Sequence, residues 1–179
     1  MNLSLRLLTC YVLPVVRGRR NPAYYGLPDR LRRARRKNDL GMSAASLTSG
    51  MSTGTAFLIE RRQTLPRIDT IERFAAALGV SPSWLAYGDG PEDAIPAESA
   101  AAMIGQRLAE VRQQRGLSRQ ALGDAAGLTG QTVANIEVHG MLPRVDTVEM
   151  LAKILDISPS WLAFGCSPQP SASDHGQAS

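Results

Sequence analysis

Apolar residues recur along this chain at intervals of three and four, most plainly between residues 101 and 165. Ile104, Leu108 and Val111 share one face of a helix predicted over Ala101–Arg115. Leu122 and Ala125 are expected to face inward from a second helix, Arg119–Ala126, with Ser118 as its N-cap. Gly127 stops that helix, because glycine takes the left-handed conformation cheaply. Thr129 caps a third, in which Val133 and Ile136 are spaced to face the second. After a loop at His139–Pro143, Val148, Leu151 and Leu155 mark a fourth over Val145–Leu155, with Asp146 and Glu149 near its positive N-terminal end. A fifth opens with Ser158 as N-cap and Pro159 at its first position, and Trp161, Leu162 and Phe164 are expected to close the core. No stretch carries a persuasive strand signal, so the predicted class is all-α.

The stretch Leu117–Glu137, LSRQALGDAAGLTGQTVANIE, therefore reads as two short helices joined by a tight turn. Gly123 is small where two such helices must cross closely. These are the marks of a helix-turn-helix, a unit whose second helix can enter the major groove of DNA. The series occurs twice. A shift of 77 residues lays Pro28–Gly88 on Gly105–Gly165 without a gap, with 24 of 61 positions identical. The plainest match is LPRIDTIERFAAALGVSPSWLAYG (65–88) against LPRVDTVEMLAKILDISPSWLAFG (142–165). Each copy is larger than a solenoid repeat and has enough apolar positions for a small domain, so two tandem domains are predicted. The expected boundaries are a poorly ordered arm at 1–25, a first domain at 26–88, an acidic Pro/Ala linker at 89–101, a second domain at 102–165 and a disordered tail at 166–179.

Composition narrows the class. With 179 residues, 44% hydrophobic and 5% aromatic, the chain supports a mainly aliphatic core. No apolar run reaches the ~18–20 residues of a membrane span. Cys10 and Cys166, far apart, fit a reducing compartment and not a disulfide scaffold. His139 and His175 have no ligand-spaced companions, so no metal site is expected. No Ser/His/Asp or Cys/His set and no phosphate-cradling Gly loop is visible, so neither catalytic residues nor a cofactor nor a small-molecule ligand is expected. The formal charge of +4 is unevenly spread: residues 1–40 hold ten Lys/Arg against two acids, the remainder ten against fourteen. A basic front end suits a polyanion partner; the alternative is a solvated face with a flexible tail. The first 25 residues make a poor signal peptide, since the positive charges follow the apolar run, and Leu7–Cys10 only faintly resembles a lipoprotein box. They read as a poorly ordered arm, or as a start codon placed upstream of the true one. As a basic arm, Arg17, Arg19 and Arg20 are candidates to touch a DNA groove.

The ordered series Arg107-Leu108, Leu117-Ser118, Leu122, Ala125, Gly127, Val133, Ile136-Glu137, Pro143, Thr147 and Ser158–Leu162 resembles the Cro/C1-type (XRE) helix-turn-helix domains of phage repressors and bacterial regulators. The resemblance covers about Ala102–Gly165 well and Leu27–Gly88 more loosely. It implies two tandem five-helix, lambda-repressor-like domains, sequence-specific binding of double-stranded DNA and transcriptional control, commonly as a dimer on a palindromic operator. Carried over by position, it implies that Arg119, with Gln120 beside it, reaches the DNA backbone from the start of the second helix. Thr129, with its hydroxyl and amide, would meet phosphate. Gly130, Gln131 and Thr132 would follow on the exposed early turn. Gln131 is the best base reader, because its amide can pair with adenine N6 and N7, and Asn135 could make the same pairing one turn on. Gly130 stands where a side chain could have read a base. Arg144 would be a backbone clamp.

The first copy departs from the second. Ala45 replaces Leu122 and Ala56 replaces Val133, shrinking the internal contact. Phe57 and Leu58 stand opposite Ala134 and Asn135, on or near the face expected to meet DNA, while Ser52, Thr53, Gly54 and Thr55 remain small and polar. Phe57 and Leu58 either touch thymine methyls or form a partner-binding or self-association patch. Arg30, Arg32, Arg33, Arg35, Arg36 and Lys37 crowd the first helix, Arg61 and Arg62 end the third, and Arg67 matches Arg144. Such a surface would give nonspecific affinity and a steep salt dependence. The main expectation is a cytoplasmic, nucleoid-associated, repressor-like regulator that reads DNA with the third helix of the second domain. Its copies could bind two half-sites without dimerising, or a homodimer could form through the first domain. The alternative is a protein-interaction adaptor or antirepressor that keeps the fold without using the groove.

Overall fold

The computed structural model describes residues 22–93 and 101–165. The expected arm as far as residue 21, with the candidates Arg17, Arg19 and Arg20, the middle of the linker and the tail lie outside the described residues, as do Cys10, Cys166 and His175. Among the described residues ten α-helices follow one another: α1 (Leu27–Lys37), α2 (Met42–Thr48), α3 (Thr55–Arg62), α4 (Ile68–Leu78), α5 (Pro82–Tyr87), α6 (Ile104–Gln114), α7 (Arg119–Ala125), α8 (Gly130–Glu137), α9 (Val145–Ile154) and α10 (Pro159–Phe164). Each half of the chain is a five-helix unit, and the fold is all-α. Short 3₁₀ turns at Ala23–Gly26 and Ala101–Met103 precede the two units. Residues 23–25, assigned above to a poorly ordered arm, therefore form part of the folded body.

Helix ends follow side-chain chemistry. Ser81 and Ser158 accept the amides of Trp84 and Trp161, and a proline at the first position pre-sets φ for α5 and α10. Four of the five helix pairs superpose in register under the 77-residue shift; α3 and α8 do not, since α3 starts and stops two residues later. The cause is local. In the second unit the Thr129 hydroxyl accepts the Thr132 amide at 3.1 Å and starts α8 at Gly130. In the first, the Ser52 hydroxyl meets the Thr55 hydroxyl at 2.9 Å, and Gly54 caps α3 with no side-chain bond.

The core of each unit is mainly aliphatic. Leu108, Leu122, Val133, Ile136, Val148, Leu151 and Leu162 are buried in the second; Leu31, Ala45, Ala56, Ile59, Ile71 and Phe74 are buried in the first. One inward assignment shifts: Ala125 is exposed and Ala126 is buried, because Ala126 already follows the end of α7. Trp161 is half-buried at the edge of the core, and Phe164 is buried on the side facing the other unit.

Two arginines in each unit hold the helices together at matched positions. Arg30 donates to the carbonyls of Leu85 and Ala86 at 2.9 and 2.6 Å. Arg107 does the same to Leu162 and Ala163, also at 2.9 and 2.6 Å. These carbonyls lie in the last turn of a helix, where no intrahelical amide is left for them. Arg35 forks onto Glu60 at 2.6 and 2.9 Å, and Arg112 onto Glu137 at 2.6 and 3.0 Å.

The two units pack against each other through contacts that come in reciprocal pairs. The Ile68 amide donates to the Pro143 carbonyl, and the Val145 amide to the Pro66 carbonyl, both at 3.1 Å. Arg67 and Arg144 thus form an isolated antiparallel bridge. The Ala101 amide donates to Glu72 at 2.8 Å, and the Tyr24 amide, its counterpart 77 residues earlier, donates to Glu149 at 3.3 Å. Residue i meets j while the counterpart of j meets the counterpart of i, which is the rule of a two-fold interface. One chain therefore contains a pseudo-two-fold pair of domains, with Arg67 and Arg144 beside the axis.

Candidate nucleic-acid interface

The second helix-turn-helix is built around a close crossing. A Cβ added to Gly123 would lie 2.7 Å from the Thr129 carbonyl carbon and 2.8 Å from the Gly130 amide nitrogen. Only glycine lets α7 rest on the start of α8 in this way. In the first unit the corresponding residue is Ser46, buried, and its hydroxyl accepts the Ala56 amide at 2.9 Å while donating to the Met42 carbonyl. The smaller Ala45 and Ala56 thus accompany a polar link between α2 and α3, where the second unit has the larger, fully buried Leu122 and Val133.

Gly130 is buried, and an added Cβ would meet Gln120 at 2.5 Å. It therefore faces α7 and does not occupy a base-reading place, which corrects the expectation for that position. Gln131 and Asn135 lie one turn apart on α8; Gln131 is exposed, Asn135 half-buried, and the Gln131 amide donates to Asn135 Oδ1 at 2.9 Å. That bond leaves Gln131 Oε1 as an acceptor and one amide hydrogen as a donor, the two groups that adenine N6 and N7 require. Thr129 is exposed and Thr132 half-buried, with their hydroxyls 2.9 Å apart. Gln120 is exposed and donates to Asp124 at 2.7 Å.

Arg119 is not a free cation. Its Nε lies 2.7 Å from Glu137 Oε2, so Glu137 receives two arginines at once. Burial works to raise the Glu137 pKa, but the hydrogen bonds from Arg112 and Arg119 outweigh it and hold the carboxyl below its ordinary value. In the first unit Met42 replaces Arg119, and Arg32 from α1 approaches Glu60 instead at 3.5 Å. The second cation thus reaches the same carboxylate from a different helix.

The basic first helix is largely engaged. Arg30 and Arg35 hold the fold as described, and Arg32 pairs with Asp29 and Glu60. Arg33 meets Glu92 at 2.6 Å, and Lys37 meets it at 3.5 Å. Arg33 also lies over the Trp84 ring at 5.6 Å. The start of the acidic linker is therefore seated on this helix. Of the six cations that crowd this helix, exposed Arg36 has no ion pair among the described residues. Arg61, Arg62 and Arg67 are likewise exposed and outside the ion pairs found there. Arg144 is exposed, with its Nε 3.4 Å from Asp146.

Of Ser52, Thr53, Gly54 and Thr55, only Thr55 lies on α3, with Arg61 in its last turn; the other three precede it. Phe57 and Leu58 are 41% and 45% exposed, and Leu47 at the end of α2 is 59% exposed, so this face is more apolar than its counterpart of Asp124, Ala134 and Asn135. Sequence reasoning missed the docked pair. The signal was present in the 65–88 and 142–165 segments, identical at 15 of 24 positions, which supply most of its contacts.

Two units with crossed second and third helices define a tandem helix-turn-helix protein. The helix-turn-helix family profile matches residues 31–85 and 108–162, more than half of the chain. The chain belongs to the helix-turn-helix family, of Cro/C1 (XRE) type. It is 38% identical over 56 residues to the HTH-type transcriptional regulator PuuR of Escherichia coli (strain K12), a match that covers 31% of this chain and 30% of PuuR. PuuR of Shigella flexneri matches to the same extent. The SPbeta prophage-derived uncharacterized HTH-type transcriptional regulator YonR of Bacillus subtilis (strain 168) is 33% identical over 67 residues, covering 37% of this chain and 62% of YonR. The chain thus spans less than a third of PuuR and less than two thirds of YonR. No solved structure matches it significantly. Among the described residues no helix is long and apolar enough to cross a membrane.

Proposed function

We propose that this protein binds double-stranded DNA sequence-specifically as a repressor-like transcriptional regulator, with α8 in the major groove. The observation that carries the reading is α8 itself: capped by Thr129, fixed from below by Val133 and Ile136, and presenting the Gln131–Asn135 pair outward. Such a rigid helix face is what base reading requires. Gln131 is the principal reader and Asn135 its partner. Thr129, Thr132 and Gln120 line the approach to the phosphates, and Arg144 and Arg67 clamp the backbone beside the axis. Arg119, held on Glu137, offers its remaining guanidinium hydrogens to a phosphate. In the first unit Ser52, Thr53, Gly54 and Thr55 face the backbone, with Arg61 adding charge. A cytoplasmic, nucleoid-associated location follows from that role.

The exposed Leu47, Phe57 and Leu58 support a second reading, an adaptor or antirepressor that binds protein, including a second copy, through the first unit. Salt separates the two. Fluorescence anisotropy with a random-sequence duplex at rising salt should show affinity that falls steeply, about 0.9 log units per log unit of salt for each phosphate contact. Negligible affinity at the lowest salt rejects the DNA reading in favour of the adaptor.

A further inference from the structure

The geometry points to a single chain that occupies a whole operator, whose two half-sites are related by a two-fold in backbone shape but differ in sequence. The inference rests on the DNA-binding reading above and specifies the class of DNA it takes.

A two-fold rotation leaves the height of every atom along the axis unchanged. The loops that follow α3 and α8 meet antiparallel at Arg67 and Arg144, beside that axis. Hence α3 and α8 lie on opposite sides of one axis, at matching heights along it. B-DNA has two-folds perpendicular to its own axis, and helix-turn-helix pairs use them to place two such helices in successive major-groove turns. Here the pair is made within one chain.

The surface that makes the pair is taken internally. Tyr87 of α5 and Phe164 of α10 are both buried, with ring centroids 6.4 Å apart, and the Tyr87 hydroxyl donates to the Val145 carbonyl at 3.1 Å. Glu149 holds the amides of Ala23 and Tyr24, and Glu72 that of Ala101. A second chain cannot use these groups without displacing the first chain's own partner domain.

Identity between the copies is divided by role. In the interface-forming segment 65–88, 15 of 24 positions match their counterparts, against 9 of 37 in 28–64. Self-complementary docking needs matching sides, and these have stayed alike. The reading positions have not: Gln131 corresponds to Gly54, Asn135 to Leu58 and Ala134 to Phe57. The α3 helix also begins two residues later than α8. One half-site is thus read by an amide pair, and the other meets a surface suited to thymine methyls. A palindrome would offer identical edges to these two unlike faces.

The test uses the full-length protein throughout. Its mass is measured by light scattering, alone and with a duplex enriched from a random library. Each half-site is then scrambled in turn, and about half a helical turn, ~5 bp, is inserted between them. The expected result is one chain free in solution, one chain per duplex, a motif with two unlike halves, and at least about tenfold weaker binding after either scramble or the insertion. An inverted repeat of one half-site, two chains per duplex, or full tolerance of the insertion overturns the inference while leaving sequence-specific binding intact. Failure to enrich any motif overturns both.

Discussion

Tyr87 and Phe164, counterparts 77 positions apart, meet each other across the junction of the two units, with their rings inclined at 48°. Phenylalanine is therefore already accepted on one side of this contact. Tyr87→Phe should cost about 1 kcal/mol, the worth of the hydroxyl's bond to Val145. Phe164→Ala should cost about 3 kcal/mol or more through lost burial. Urea denaturation of the whole chain checks both. Burial, followed by the nearby Glu149, Asp146 and Asp89 carboxylates, holds the Tyr87 hydroxyl well above its ordinary pKa of 10.0. The unfolded chain releases that proton near 10.0 and the folded one does not, so stability should fall as pH rises past that value, and fall less steeply in Tyr87→Phe.

Glu137 ties α6, α7 and α8 through Arg112 and Arg119. Arg112→Ala leaves a buried carboxylate with one partner and should cost about 3–5 kcal/mol. The folded pKa is depressed below 4.5, so this contribution is complete above that value and is lost as pH falls through the lower, folded value. Acid unfolding monitored by circular dichroism should accordingly shift to lower slope in Glu137→Gln, with reduced stability at neutral pH.

Gly123→Ala should destabilise the second unit by about 1–3 kcal/mol, because the new methyl meets backbone that cannot move aside. Ser46→Ala in the first unit should cost about 1–3 kcal/mol for a different reason, the Ala56 amide left buried without its acceptor. Thermal unfolding of both variants compares the two ways of joining the same pair of helices. Equal stability to wild type in Gly123→Ala would contradict the crossing described here.

Arginines that look alike in sequence should divide into two groups. Arg36→Ala, Arg61→Ala and Arg62→Ala should leave the melting temperature within about 2 °C while each reduces the salt slope of DNA binding by up to about 0.9. Arg35→Ala should destabilise by about 3–5 kcal/mol, because Glu60 is fully buried beside it. Calorimetry and salt titration of the same four variants separate the groups.

The helices were legible because their causes are local. Ser118, Thr129 and Ser158 cap where the sequence has a hydroxyl before an apolar period, and Gly123 lies at the crossing its size implies. The use of the arginines was not legible in the same way. Arg30 finds its acceptors 55 and 56 residues on, and Arg35 its carboxylate 25 residues on, distances at which spacing carries no pairing information. A clue existed, since Arg30, Arg35 and Glu60 are the same residue types as Arg107, Arg112 and Glu137 in the other copy. Charge counting alone treats all six cations of α1 as solvated. The orientation of Gly130 was hidden for a related reason: whether a residue at a helix start faces solvent or its neighbour depends on how the two helices cross.

The central claim, that α8 reads base edges through Gln131, is tested most directly by duplex selection with wild type and Gln131→Ala side by side. The account predicts that wild type enriches a defined motif and that Gln131→Ala loses preference at one position, at a cost of about 1–3 kcal/mol in discrimination there, with the rest of the motif retained. The same motif recovered at full information from both proteins would contradict it.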